Sequence, residues 1–246
     1  MWSNVISIDK LYKREFDYLF NIVKKSKTIS YAFEESRDRY FLYIAALCEN
    51  SDEARSTVEQ ALIHVYLTYF KLSVFLKNIK HEKLSHAMVA LLSSLLAFDR
   101  SFEETVILKT LSDTIDYNVD AIFNFRLSAL RENWTELAQL CNNLLSTAID
   151  ENDVYNVASF ITSDEGGKNK LMITRDEEPV IKNLTENKEV EIEDIFDNDE
   201  LNILLAAVKE SPKEIIIKDT GLSKDMWGAL SRITSVREVN NLKYYE

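Results

Sequence analysis

Histidine and cysteine, the residue types that most often bind metals or act as nucleophiles, are scarce in this sequence. Of the three histidines, His81 and His86 are five residues apart, a poor spacing for one helix face, and His64 is distant from both. The two cysteines, Cys48 and Cys141, each lie among apolar neighbours, which is typical of small buried side chains. We therefore expect no metal site.

Catalytic motifs are missing from the sequence as well. The chain contains no Gly-x-Gly-x-x-Gly, Walker-type loop or Gly-x-Ser-x-Gly turn, and its four glycines would scarcely permit one. The carboxylate pairs Glu34–Glu35 and Glu103–Glu104 are adjacent, so on a helix their side chains diverge by about 100° and cannot share a substrate. The sequence thus predicts neither a catalytic residue nor a cofactor.

The segment from Asp116 to Arg131 contains the candidate binding residues. If the whole segment is helical, apolar residues cover most of its surface, and Arg126 falls inside the apolar arc. A guanidinium there must reach water or meet a carboxylate of a neighbouring helix, because an unpaired buried charge is costly. The alternative is a receptor for an anionic ligand or a partner's carboxylate, in a pocket that Asn124 or Tyr117 would line.

Charge is distributed unevenly over the chain, whose net charge is −12. Residues 175–200 hold eleven acidic and three basic side chains, which indicates either an extended, mobile connector or a docking strip for a basic partner. The first predicted helix is basic instead. We expect its apolar face to cover the core, to lie on a membrane surface or to bind a partner protein. Its basic residues are Lys10, Lys13, Arg14, Lys24 and Lys25. Because phosphate binding requires a basic face, we expect no nucleic-acid partner.

All four glycines and both prolines follow residue 165. Most tight turns between strands need a positive or a preset φ, so 165 residues without Gly or Pro are hard to build except from helices. Apolar residues spaced by three and four positions agree with this. Helices are predicted over residues 11–25, 31–49, 52–76, 84–98, 101–115, 116–131, 133–145 and 153–161. The expected fold is mainly α, with a multi-helix bundle over about residues 10–162.

After residue 165 short β-branched runs alternate with helical patterns. Strands are predicted over residues 170–174, 214–218 and the run that holds Val236, Val239 and Leu242, and helices over 201–208 and 223–233. This order predicts a small α/β unit of about three short strands, paired in parallel across helical crossovers. The expected domains are an all-α domain (1–165), an acidic connector with a first short strand (166–200), and the remainder of the α/β unit (201–246), docked on the helices.

The sequence also bears on location. Residues 1–10 lack a basic and then apolar leader, so no secretory signal is expected. The longest apolar stretch, Ala87–Phe98, is interrupted by two serines and is too short to span a bilayer. These features predict a soluble, cytoplasmic protein.

Residues 117–127, which include Phe125-Arg126-Leu127, resemble the Phe-Arg-Leu helix of the YtxC-like family of sporulation proteins. The acidic turn 148–155 with Phe160-Ile161 is similar to the segment that follows in that family. The helix 199–205, Ser211-Pro212 and Ile215-Ile216-Ile217 are similar to its end. The resemblance covers about residues 40–240. It implies an intracellular protein of spore-forming bacteria without an assigned enzymatic activity, so it implies no catalytic residue.

Together these features predict a non-catalytic protein that acts through protein–protein contacts, with a link to sporulation implied by the resemblance. Two alternatives stay open. One is a sensor of a small anionic ligand, or an unrecognised enzyme, with its pocket around Arg126. The other is peripheral membrane association through the basic first helix.

Overall fold

The computed structural model describes residues 1–80, 84–146, 150–164, 167–175, 177–218 and 221–239. Its strands are β1 (Trp2–Asp9), β2 (Ser30–Glu35), β3 (Arg39–Ala46), β4 (Tyr117–Asn118), β5 (Asn169–Arg175), β6 (Pro179–Asn183), β7 (Lys188–Val190), β8 (Pro212–Lys218) and β9 (Ser235–Glu238). Its helices are α1 (Lys13–Lys25), α2 (Ser51–His64), α3 (Lys71–Asn78), α4 (His86–Ala97), α5 (Arg100–Ser112), α6 (Val119–Ala121), α7 (Ser128–Leu145), α8 (Glu151–Asp164), α9 (Asp199–Lys209) and α10 (Lys224–Ile233). Two π-helical segments, Val65–Phe70 and Ile122–Arg126, follow α2 and α6 directly.

The chain divides into two compact units that alternate along the sequence. Unit 1 comprises Met1–Asn78 and Arg100–Ala138, and unit 2 comprises Ile79–Asp99 and Gln139–Glu246. Each unit contains one β-sheet. This division does not follow the predicted boundary after residue 165, because the chain leaves unit 1 after α3 and returns to it at α5.

Unit 1 contains a four-stranded sheet in the order β2-β3-β1-β4. The pairs β1–β3 and β2–β3 are antiparallel, and β1–β4 is parallel. One face, the inner face, buries Ile6, Ile8, Leu42 and Ile44, and α1 contributes its buried apolar stripe to the same core. The opposite, outer face is partly open, as antiparallel sheets commonly are.

The prediction of a mainly α protein is wrong, since a sheet occupies much of the first 46 residues and the predicted helix over 31–49 is the hairpin β2–β3. The hairpin needs no glycine. Ser36 closes it, because its N–H donates to the Arg39 carbonyl (2.9 Å) and its hydroxyl accepts from the Arg39 N–H (3.1 Å). Neither Arg37 nor Asp38 has a positive φ, so ordinary L-residues make the turn.

The rest of unit 1 is helical, and its core is aromatic. The Tyr66 hydroxyl donates to the Val119 carbonyl (3.1 Å), and the rings of Phe70 and Phe123 lie 4.4 Å apart, so the two π-helical segments contact each other. Lys71 and Glu103 form a buried ion pair (Nζ–Oε2, 2.6 Å) beneath them. The Trp134 indole N–H donates to the other oxygen of the Glu103 carboxylate (2.6 Å).

Unit 2 contains a five-stranded sheet in the order β7-β6-β5-β8-β9. The predicted parallel pairing is present in β5–β8 and β8–β9, but strands β6 and β7 come between β5 and α9, and Leu242 lies outside the described residues. Strand β8 buries the consecutive residues Ile215, Ile216 and Ile217, so both of its faces are covered. Helix α4 packs against α8 and α9.

The prediction of about three strands in this unit is wrong because the acidic connector is itself folded. Strands β6 and β7 form an antiparallel hairpin that extends the sheet beside β5. The Asn183 side chain accepts from the N–H groups of Thr185 and Glu186, and Asn187 takes a left-handed conformation (φ 51°), so the turn needs no glycine. Strand β6, in which Ile181 and Asn183 are buried, was not predicted because it is short and most of the surrounding segment is acidic.

Candidate interaction surface

Arg126, the predicted anion receptor, lies on the surface rather than inside an apolar arc. Its Nη1 donates to the Thr114 hydroxyl (2.6 Å) and to the Asp113 carbonyl (3.4 Å). The prediction that Arg126 lies inside an apolar arc is wrong because the segment is not one α-helix. It begins as strand β4, and the π-helical stretch from Ile122 changes the angular position of every later side chain.

The two residues expected beside Arg126 have other partners. Tyr117 is buried, and its hydroxyl donates to the Glu59 carboxylate (3.3 Å); burial and the Glu59 charge raise the pKa of Tyr117 to about 12. The Asn124 carbonyl oxygen accepts from Arg131 (3.1 Å). The three predicted residues therefore contact three different groups, which lends no support to a shared anion site.

The basic residues of the first helix are arranged around a buried stripe. Lys13, Arg14, Lys24 and Lys25 are exposed, whereas Lys10 is half-buried and precedes α1. The apolar side chains of α1 that a bilayer would receive are in the core: Phe16, Leu19 and Val23. In this conformation α1 covers the sheet, and its exposed residues include Lys13, Arg14, Lys24 and Lys25. No helix within the described ranges is long and apolar enough to cross a membrane.

Strand β2 is the most exposed regular element of the sheet in unit 1. It is an edge strand, and all six of its residues are exposed. Tyr31 and Phe33 keep 42% and 46% of their surface accessible, which is unusual for two aromatic residues on one strand. Its sequence, Ser-Tyr-Ala-Phe-Glu-Glu, alternates aromatic and small residues, and this period of two is the signal that the helical prediction overlooked.

Hydrogen bonding along the hairpin shows which backbone groups of β2 face outward. Ser36 and Arg39 form a hydrogen-bonded pair, and such pairs alternate with non-bonded pairs in an antiparallel ladder. The N–H and C=O groups of Ala32 and Glu34 consequently point toward β3. Those of Tyr31, Phe33 and Glu35 point away from the sheet, on the side where no strand of the described residues pairs with β2.

The aromatic side chains of β2 are held in place from the inner face. The Phe33 ring lies 5.4 Å from that of Phe16, and the Tyr31 ring meets Phe20 edge to face at 5.6 Å. Phe16 also stacks on Tyr40 of β3 (4.5 Å). Each ring of β2 thus has one side against α1 and β3, and its remaining surface is available for a partner.

A groove of about 460 Å³ adjoins β2 and crosses the sheet. Alternation along the paired strands places Ala32, Tyr43 and Val5 side by side on the outer face. The groove lining contains one charged residue, Asp116. Beside the groove, the Tyr43 hydroxyl donates to Glu34 (3.0 Å), and this hydrogen bond to a carboxylate raises the pKa of Tyr43.

The hairpin is fastened to the other end of the sheet by Arg39. Its two terminal nitrogens bind the Asp120 carboxylate in a bidentate manner (Nη2–Oδ1, 2.7 Å; Nη1–Oδ2, 3.1 Å). Nη2 also donates to the side chain of Asn118 (2.8 Å). Bidentate pairs of this kind fix orientation, so the outer face is rigid at this end.

Comparisons of the chain with family models, with curated proteins and with solved structures found no match. The resemblance to the YtxC-like family therefore stays a prediction. Within the described residues, which do not include His81, no cluster of His, Cys, Asp or Glu side chains is arranged to hold a metal ion.

Proposed function

We propose that this chain is a non-catalytic, cytoplasmic protein that acts through protein–protein contacts, and that its docking surface is strand β2 with the adjoining groove. The observation that carries the proposal is the edge position of β2, which combines outward-facing backbone groups with two half-exposed aromatic rings. An unprotected edge of this kind is a template for pairing with an extended segment of another chain.

The association with sporulation rests on the resemblance alone. It is tested by deleting the gene in a spore-forming host and measuring spore yield and the stage of arrest. Normal sporulation in the deletion strain would remove this part of the proposal and leave the docking surface untouched.

The docking surface is tested with a pair of variants at one position. In Tyr31→Pro the outward N–H is removed, and the ladder to β3 stays intact because the Tyr31 N–H does not take part in it. Tyr31→Val removes the same aromatic ring but keeps the N–H. Both variants lose the contact with Phe20, so they form a matched pair.

Purified wild type and both variants are used as bait in crosslinking from sporulating cells, after circular dichroism has shown that each is folded. We expect proteins captured by the wild type and by Tyr31→Val to be lost from Tyr31→Pro. Capture of the same proteins by all three baits would contradict the proposal.

A further inference from the structure

The chemistry of β2 and its surroundings also specifies the kind of segment that can pair with it. Resting on the function proposed above, we infer that the partner of β2 is an extended segment in which apolar and basic residues alternate, rather than a second copy of this chain. The inference depends on the outward backbone groups, on the side chains of each face and on the local charge.

The backbone sets the conformation of the partner. The outward N–H and C=O groups belong to Tyr31, Phe33 and Glu35, which are spaced two residues apart. Only an extended strand presents its own backbone groups at that spacing, and five paired residues span about 17 Å. A helix or a compact loop would satisfy one of these groups at most.

The side chains on the inner face of β2 determine which residues fit at every second position of the partner strand. Tyr31 and Phe33 both project to this face, beside Phe16 and Phe20 of α1. Partner side chains directly across from these rings would cover the exposed 42% of Tyr31 and 46% of Phe33. Aromatic or β-branched residues fit there, because they make the best cross-strand pairs with aromatic rings.

The side chains on the outer face determine which residues fit at the alternate positions. Ser30, Ala32 and Glu34 project to this face, so Glu34 is the charged group that a partner strand meets there. The groove beyond Ala32 adds a second carboxylate, Asp116. The Glu35 carboxylate projects to the inner face, where it already binds Lys10 (2.5 Å). On the outer face the Arg39 guanidinium is held by Asp120. The outer side of the docking surface is therefore acidic, and lysine or arginine complements it.

Charge also argues against a second copy. If two β2 strands pair antiparallel about Ala32, Glu34 of each copy faces Ser30 of the other, and no cation meets either carboxylate. Two chains that each carry a net charge of −12 also repel one another. Added salt would strengthen pairing between copies but weaken pairing with a basic strand, so ionic strength separates the two occupants.

The probe is a labelled synthetic heptapeptide, acetyl-Lys-Val-Lys-Val-Lys-Val-Lys-amide, whose binding to the full chain is measured by fluorescence anisotropy. One control peptide replaces every Lys by Glu. A second control replaces the central Val by Pro, which keeps the charge but removes a backbone donor and disrupts the strand. We expect the first peptide to bind at least tenfold more tightly than either control.

Variants of the protein separate charge from strand pairing. Glu34→Gln combined with Asp116→Asn should weaken binding of the basic peptide at least threefold. The matched control, Glu132→Gln with Glu136→Gln on α7, changes the net charge equally and should leave binding unchanged. Tyr31→Pro should weaken binding at least tenfold, while Tyr31→Val should weaken it less.

Each outcome has a definite meaning. Equal binding of the acidic and basic peptides, no binding of either, or no effect of the Glu34–Asp116 variant would overturn the basic partner. The docking surface would survive those results if Tyr31→Pro still lost its cellular partners, and would fail if it kept them. A wild-type dimer in sedimentation that strengthens with salt, is abolished by Tyr31→Pro and excludes the peptide would show that a second copy is the occupant.

Discussion

The edge strands of the two sheets differ in length and exposure. In unit 2 the edge strands β7 and β9 have only three and four residues, and charged side chains guard them, with Lys188 bound to Glu186 and Arg237 bound to Glu214. In unit 1 the edge strand β2 has six residues, all exposed, and two of them are aromatic. Short, charged edges are the usual protection against unwanted pairing. The greater length of β2 and its two exposed aromatic residues are the physical reason for assigning docking to this strand.

The sheets differ in their faces as well. The interior strand β8 buries three consecutive isoleucines, so helices or loops cover both of its sides. Strand β3 buries Leu42 and Ile44 on one side only, and leaves Tyr43 40% exposed on the other. The sheet of unit 2 is therefore buried on both faces at β8, whereas the sheet of unit 1 is buried on one face and partly exposed on the other.

Each unit also contains a buried ion pair, and breaking it should have the largest effect on stability. Lys71→Met removes the cation that pairs with the buried Glu103 carboxylate, and should lower the free energy of unfolding by about 3–5 kcal/mol in urea denaturation. Lys209→Met, which removes the cation that pairs with Glu193 in unit 2, should lower the free energy of unfolding by about as much. The exposed pair Lys13–Asp17 is the control, because Lys13→Met should change the free energy of unfolding very little. A loss that small in Lys71→Met would contradict the buried pair.

The difference between the sheet faces is tested by truncating one residue in β8. Ile216→Ala removes a side chain that is 1% exposed, and should lower the free energy of unfolding by about 2–5 kcal/mol. The matched truncation on the open face, Val5→Ala, should cost less, because Val5 is only half-buried. Equal losses in the two variants would remove the contrast between the sheets.

A smaller effect, which depends on pH, is expected at Tyr117. In the folded chain the pKa of Tyr117 is raised to about 12, first by burial and then by the Glu59 charge, whereas an unfolded tyrosine titrates near pH 10. Between these values the unfolded chain loses a proton that the folded chain keeps, so the free energy of unfolding falls as the pH rises. Tyr117→Phe should lose about 1 kcal/mol at neutral pH and show a shallower fall above pH 10. If the free energy of unfolding fell with the same slope above pH 10 in both proteins, the Tyr117 phenol would not be buried in the folded chain.

The smallest effect on stability is expected at β2 itself. Tyr31→Val should change the free energy of unfolding by less than about 1 kcal/mol, because the ring is 42% exposed and contacts only one side of the core. Urea denaturation measures this change. A large loss would mean that Tyr31 serves the fold rather than a partner.

The local sequence pattern was sufficient to predict some helices and strands but not others. The isoleucine run of β8 and the helices between the strands of unit 2 predicted the parallel β5-β8-β9 order, because each segment has a clear period and clear ends. The hairpin β2–β3 was missed because a serine hydroxyl closes its turn in place of a glycine. The exposure of Arg126 was missed because a π-helical stretch breaks the 3.6-residue period. The docking surface depends on which strand is left at the edge, and that is decided by pairing between distant segments.

Amide hydrogen exchange along β2, measured by NMR on the full chain with and without the basic peptide, tests the docking surface most directly. In the free protein we expect the N–H groups of Ala32 and Glu34 to exchange slowly and those of Tyr31 and Phe33 to exchange quickly. Saturating peptide should slow exchange at Tyr31 and Phe33 at least tenfold. Bound peptide with unchanged exchange at these two residues would show that β2 is not the docking strand.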